Sequence, residues 1–180
     1  MTTVYTIGHS NRSATALIEL LTAHDIRALL DIRAFPRSRR HPHFNRAALE
    51  GTLASHDIAY HWSGDTLGGF RKPRADSSHT ALTDAAFRGF ADYMESEQFH
   101  TAIANLIELA ARQRLVIMCA ESDYRHCHRQ FIADYLSRYD VAVNHINSPA
   151  RGQAHRLNPC LDNASRPPVY NRHEQGDLFG

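Results

Sequence analysis

The sequence predicts an α/β fold: a single three-layer domain with a mostly parallel sheet of about five strands and helices on both faces. Short apolar runs alternate with amphipathic helical segments over most of the chain, and strands separated by helices point to a parallel sheet covered on both sides. A length of 180 residues with 43% hydrophobic content supports one full core rather than two.

In chain order, "TVYTI" (3–7) reads as the first strand, "SATALIELLTAH" (13–24) as a helix capped by Ser13, and "IRALLDI" (26–32) as the second strand. A basic loop, a helix near "FNRAALEGTLASH" (44–56) and a third strand "IAYHW" (58–62) follow. The Gly-containing stretch 63–82 has no periodicity of its own, and its length marks a functional loop or a lid. Helices near 83–95 and 97–112 lead to the fourth strand "RLVIM" (114–118), and a helix over 126–138 leads to the last, "VAVNHI" (141–146). From Asn147 onward periodicity is lost and four of the seven prolines occur, so a domain over 1–147 and an extended or disordered tail over 148–180 are expected.

No apolar stretch approaches the roughly 18 residues of a membrane span, and "MTTVYTIGHS" lacks the features of a signal peptide. A soluble, cytoplasmic protein with no membrane partner is expected. Three cysteines, an odd number, argue for reduced thiols and leave Cys119 and Cys127 for chemistry or packing. The net charge of +1 conceals an unusual choice of base, since Lys72 is the only lysine among 20 basic residues. Codon bias in a GC-rich genome is the plain explanation; arginine is also the side chain whose planar fork suits phosphate. Between Arg33 and Arg74 eight basic residues face three acids, a local positive field.

Open parallel sheets bind ligands outside the carboxyl ends of their strands, beside helix N-termini that favour anions. "GHSNRS", "DIRAFPRSRRHPHFN", "HWSGDTLGG" and "CAESDYRHCHR" each end one of the first four strands, so four loops can converge on one mouth. His9 and Glu121 are the natural proton-transfer candidates. Asp31 and Arg33 leave the second strand on the same side, where Asp31 can orient Arg33. His128 and Arg129, in the first turn of a helix, can hold a phosphate together with the helix end. Each has a plainer reading as a loop-fixing residue.

Cys119, at a strand end facing a helix N-terminus, is a candidate thiol nucleophile; the plainer reading is a small buried side chain. Cys119 and Arg125 form a Cys-x5-Arg spacing similar to cysteine phosphatases and rhodanese-like sulfurtransferases, although Glu121 and Asp123 would put negative charge in the cradle. Zinc is disfavoured because Cys119 and Cys127 are eight residues apart rather than in a close pair. No cofactor is expected; a divalent metal shared by Asp31, Glu121 and a substrate phosphate lacks a recognisable motif.

Taken together, "TIGHSNRS", "LLDIRAFPRSRRHPHFN", "LGGFR" and "CAESDYRHCHR" resemble the bacterial family catalogued as domain of unknown function 488, in order over roughly residues 3–147. The resemblance implies a compact α/β domain and no established reaction. Its hallmark positions correspond to Gly8, His9, Ser10, Asn11, Asp31, Arg33, Pro36, Ser38, Phe44, Gly68, Gly69, Cys119, Glu121, Cys127, His128 and Arg129. Ser10, Asn11, Arg33, Arg37, Ser38, Gly68, Gly69, Cys127, His128 and Arg129 are the candidate ligand-binding residues.

Trp62, Phe44 and Phe70 are interleaved with arginines and could stack on bases while the arginines neutralise phosphates; alternatively Phe35 and Trp62 seal the core. The sequence ends "EQGDLFG", in which Gln175, Asp177, Leu178 and Phe179 resemble the pentapeptide by which bacterial replication and repair proteins dock on the sliding clamp. The expectation is a protein directed at nucleic acid or nucleotides, associated with DNA repair or replication, of hydrolase or lyase type if an enzyme. A non-catalytic anion-binding adaptor tethered to the clamp and a Cys119-dependent phosphatase or sulfurtransferase are the alternatives.

Overall fold

The computed structural model describes residues 2–150 and 152–173. Five parallel strands, β1 (Thr3–Gly8), β2 (Ala28–Asp31), β3 (Ala59–Trp62), β4 (Leu115–Cys119) and β5 (Ala142–His145), form the body of one sheet, and a two-residue β6 (Gln153–Ala154) is added antiparallel on the β5 edge. The order across the sheet is β3-β2-β4-β1-β5-β6.

The register brings Gly8 beside Cys119 and Asp31 beside Met118, so β1, β4 and β2 end together. The connections leaving β1 and β2 run toward one edge of the sheet, and those leaving β3 and β4 toward the other. With right-handed crossovers this places the helices on opposite faces. The core divides accordingly. Leucines of α1 (Ala14–Ala23) and α2 (Arg46–Ala54) pack on Ile7, Leu29, Val116 and Met118. Phe90 of α4 (Ala85–Tyr93), Phe99 and Ile103 of α5 (Glu97–Arg112), and Phe131 of α6 (Arg129–Arg138) pack on Val4, Leu30, Ile117 and Val143. A short helix α3 (Gly64–Leu67) opens the long 63–82 loop.

Local chemistry starts the helices where the sequence predicts. Ser13 Oγ accepts the Ala16 N–H at 3.1 Å, Asp84 Oδ1 the Phe87 N–H at 2.9 Å and Ser96 Oγ the Phe99 N–H at 3.2 Å. Among the described residues no helix is long and apolar enough to cross a membrane.

Beyond Asn147 the chain has little regular structure, but residues 153–170 lie against the domain. Tyr170 is fully buried and its hydroxyl donates to Asp134 Oδ2 at 2.9 Å. Asp134 Oδ1 meets His155 Nε2 at 2.8 Å and the Asn158 N–H at 3.0 Å, and His155 Nδ1 bonds His145 Nε2 at 2.9 Å. This strap is held by single side chains rather than by a periodic face, so hydrophobic periodicity does not reveal it.

Candidate active site at the strand ends

A cavity of about 690 Å3 opens at the carboxyl ends of β1, β2 and β4, within the size range of small-ligand sites. Backbone bonds from His9 N to Cys119 O (2.9 Å) and from Ser10 N to Ala120 O (2.8 Å) carry the β1–β4 pairing past the strands and fix its floor. Two tight features allow this approach. A side chain on Gly8 would overlap the Glu121 carbonyl, and Ser10 takes the left-handed conformation, at φ 51°.

Asp31 lies behind the wall, fully buried. Its Oδ1 accepts Arg33 N (3.1 Å) and Nε (2.9 Å), and its Oδ2 accepts Arg33 Nη2 (2.6 Å) and Tyr60 OH (2.9 Å). Burial, then the Asp31 charge, pushes the Tyr60 phenol above its ordinary range. With its acceptor positions occupied, Asp31 orients Arg33 rather than exchanging protons with a ligand.

Arg33 in turn points Nη1 at His9 Nε2, 3.2 Å away, while His9 Nδ1 meets the Ser10 carbonyl at 2.8 Å. A carbonyl only accepts and a guanidinium only donates, so His9 is the neutral Nδ1–H tautomer with both nitrogens engaged. Burial, reinforced by the Arg33 charge, lowers its pKa to about 4. Of the two proton-transfer candidates, Glu121 is the one left exposed on the cavity wall.

The thiol pair forms the opposite side. A 3-10 turn over Tyr124–His126 folds Cys127 back toward Cys119, so residues eight apart in sequence become neighbours. His128 Nδ1 lies 3.7 Å from Cys127 Sγ and 4.0 Å from Cys119 Sγ. The contact with Cys127, then burial, raises the pKa of Cys119 well above the ordinary thiol value. The same contact lowers the pKa of Cys127 well below it. The pair thus holds Cys127 toward the thiolate, with the strand-end candidate Cys119 beside it on the cavity wall.

Other sequence candidates divide between the cavity and its surroundings. Ser10, Arg33, Arg37, Ser38, Gly69, Cys127 and His128 line it with His9, Cys119 and Glu121; Asn11, Gly68 and Arg129 do not. Arg129 is buried and spends its guanidinium on the Glu121 and Ser122 carbonyls and on Thr6 Oγ1 (3.1 Å). It braces the β4–α6 loop rather than facing a ligand. Arg125 is 71% exposed and paired with Asp123 (2.7 Å), so the Cys-x5-Arg cradle is not assembled. That contact, before the opposing effect of burial, draws the Asp123 carboxyl down to about 2.

The aromatic assignments exchange places. Phe44 is fully buried beneath His9, with ring centroids 4.3 Å apart, whereas Phe35 (64% exposed) and Phe70 (77% exposed) stand at the cavity rim 5.9 Å from each other. Trp62 donates to the Arg33 carbonyl at 3.0 Å, with the Arg46 guanidinium over its ring. Arg40, His41 and His126 also line the cavity; in the sequence their signals are the basic run 37–41 for the first two and the stretch "CAESDYRHCHR" for the third.

Residues 13–136 match the family described as Domain of unknown function DUF488. The chain belongs to the DUF488 family. No curated protein and no solved structure matches it. The DUF488 segment contains every lining residue except His9 and Ser10, which immediately precede it on the β1 loop. Gln175, Asp177, Leu178 and Phe179 lie outside the described residues.

Proposed function

We propose that this cavity binds a phosphorylated nucleoside, free or within a single strand, and that the protein acts on nucleic acid or nucleotides in replication or repair. The observation that carries this reading is the side chains left unengaged around the cavity. Among the described residues Arg37 and Arg40 have no side-chain hydrogen bond or ion pair, and Glu121 is the only carboxylate lining the same space. An unneutralised pair of guanidinium groups favours a phosphate.

Phe35 and Phe70 supply the second half of the recognition. Exposed rings beside free arginines form a stacking platform for a base, an interaction worth about 1–3 kcal/mol per base. Glu121, exposed on the cavity wall, is placed to exchange a proton with the bound ligand. The terminal Gln175-to-Phe179 pentapeptide would tether the protein to the sliding clamp in this reading.

Fluorescence-anisotropy titration of labelled single-stranded DNA, with nucleoside mono- and triphosphates as competitors, tests it. Binding should weaken by more than tenfold in an Arg37→Ala/Arg40→Ala double variant and should fall in Phe70→Ala. If the unaltered protein binds neither class at low salt, the reading is wrong. Binding with no conversion of any ligand would favour a non-catalytic adaptor.

A further inference from the structure

Two clusters among the described residues bring the ligand atoms of three metal-competent side chains within 4.8 Å of one another: Cys119, Cys127 and His128 on the cavity wall, and His79, Asp92 and Glu95. Histidine protonation separates them. At His79, Nδ1 accepts the Tyr170 N–H at 3.2 Å, so in the neutral ring the proton sits on Nε2, which faces Glu95 at 3.2 Å and Asp92 at 3.8 Å. An N–H offers no lone pair to a cation, and Arg74 already meets Glu95 at 2.8 Å. That cluster is an internal charge network.

His128 is arranged the other way. Its Nε2 lies 2.9 Å from the Leu67 carbonyl, which can only accept, so Nε2 carries a proton and in the neutral ring the Nδ1 lone pair is turned toward the two sulfurs. A histidine fixed through its far nitrogen by a backbone carbonyl is how metal-binding imidazoles are commonly held. We propose that Cys119, Cys127 and His128 are the three protein ligands of a zinc-class divalent transition metal whose fourth position opens into the cavity.

The spacing fits. With sulfur about 2.3 Å and nitrogen about 2.0–2.1 Å from a tetrahedral metal, neighbouring sulfur and nitrogen atoms lie about 3.6 Å apart. The observed separations are 3.7 and 4.0 Å and the two sulfurs lie within 4.8 Å of each other, so closure draws Cys119 inward. Two thiolates balance a divalent charge, and the Arg129 backbone N–H donates to Cys127 Sγ at 3.5 Å. Gly69 lets the chain pass closely over the ring, where a Cβ would stand 2.7 Å from His128 Nδ1.

All three residues line the cavity, so the remaining coordination position would be taken from it, the arrangement of catalytic rather than structural zinc. A metal there would supply a Lewis acid beside the arginine wall. Its presence does not depend on what the arginines bind, and it is measured without any nucleotide.

The test is metal binding by the reduced full chain: zinc content after equilibrium dialysis, and the absorption spectrum with Co2+. About one metal per chain is expected, with thiolate-to-cobalt charge transfer in the near ultraviolet. Cys127→Ser and His128→Ala should lose at least tenfold in affinity, while Cys160→Ser should bind as the unaltered chain does. If a variant fails to fold by circular dichroism, zinc protection of Cys119 and Cys127 from alkylation in the unaltered chain replaces it. A reduced chain that retains no zinc, or takes up Co2+ without thiolate charge transfer, overturns the proposal. So does a chain that joins Cys119 to Cys127 in air and binds no metal once reduced.

Discussion

The Leu67 carbonyl fixes the His128 ring through Nε2 at 2.9 Å, coupling the long 63–82 loop to the thiol centre. Gly69, two residues further on, lies against the same ring. Gly69→Ala should therefore displace His128, with an overpacking cost of about 1–3 kcal/mol. Urea denaturation measures the cost, and the alkylation rate of Cys127 measures the displacement. An unchanged rate with unchanged stability would show that the loop does not constrain the ring.

Asp31 and Arg33 form a pair with almost no solvent access. Removing one partner leaves the other charged and buried, so Asp31→Ala should destabilise the fold by about 3–5 kcal/mol, read from the denaturation midpoint.

Arg37 and Arg129 should separate by salt dependence. Arg37→Ala removes a phosphate contact and should lower the slope of log affinity against log salt by about 1. Arg129 is spent on the Glu121 and Ser122 carbonyls, so Arg129→Ala should loosen the 120–127 loop while leaving the slope unchanged. Amide hydrogen exchange across the loop reads the loosening.

Burial, with the nearby His155 and Arg129 charges adding, lowers His145 from 6.5 to about 3, and burial lowers His9 to about 4. Below pH 6.5 the unfolded chain takes up these protons and the folded chain does not. Their contribution to stability is thus fully present above that pH and declines as pH falls toward 4 and then 3, by roughly 1.4 kcal/mol per pH unit for each group. Denaturation midpoints between pH 7 and 4 should follow this fall, and His145→Gln should flatten it.

How much the sequence discloses depends on the range of the interaction that fixes each feature. Ser13, Asp84 and Ser96 start helices through bonds three residues away, and those helices are legible. The Asp31–Arg33 pair follows from strand alternation two residues apart. The proximity of Cys119 to Cys127 depends on a 3-10 turn with no apolar period, so spacing alone separates them. Phe35 and Phe44 share one irregular loop, and nothing local says which ring turns inward. The strap is least legible because Tyr170 and His155 find Asp134 across 36 and 21 positions.

That strap sets a lower limit on the folding unit. A chain cut at residue 147 would retain all the parallel strands and every cavity-lining side chain. It would nevertheless leave the Asp134 carboxylate, on the inward side of α6, without Tyr170, His155 or Asn158. The DUF488 match ends at residue 136, just past Asp134 and before all three of its partners. In a relative that dispenses with the strap, position 134 would be expected to change with it, because a carboxylate is tolerable there only while residues 155, 158 and 170 remain to bind it.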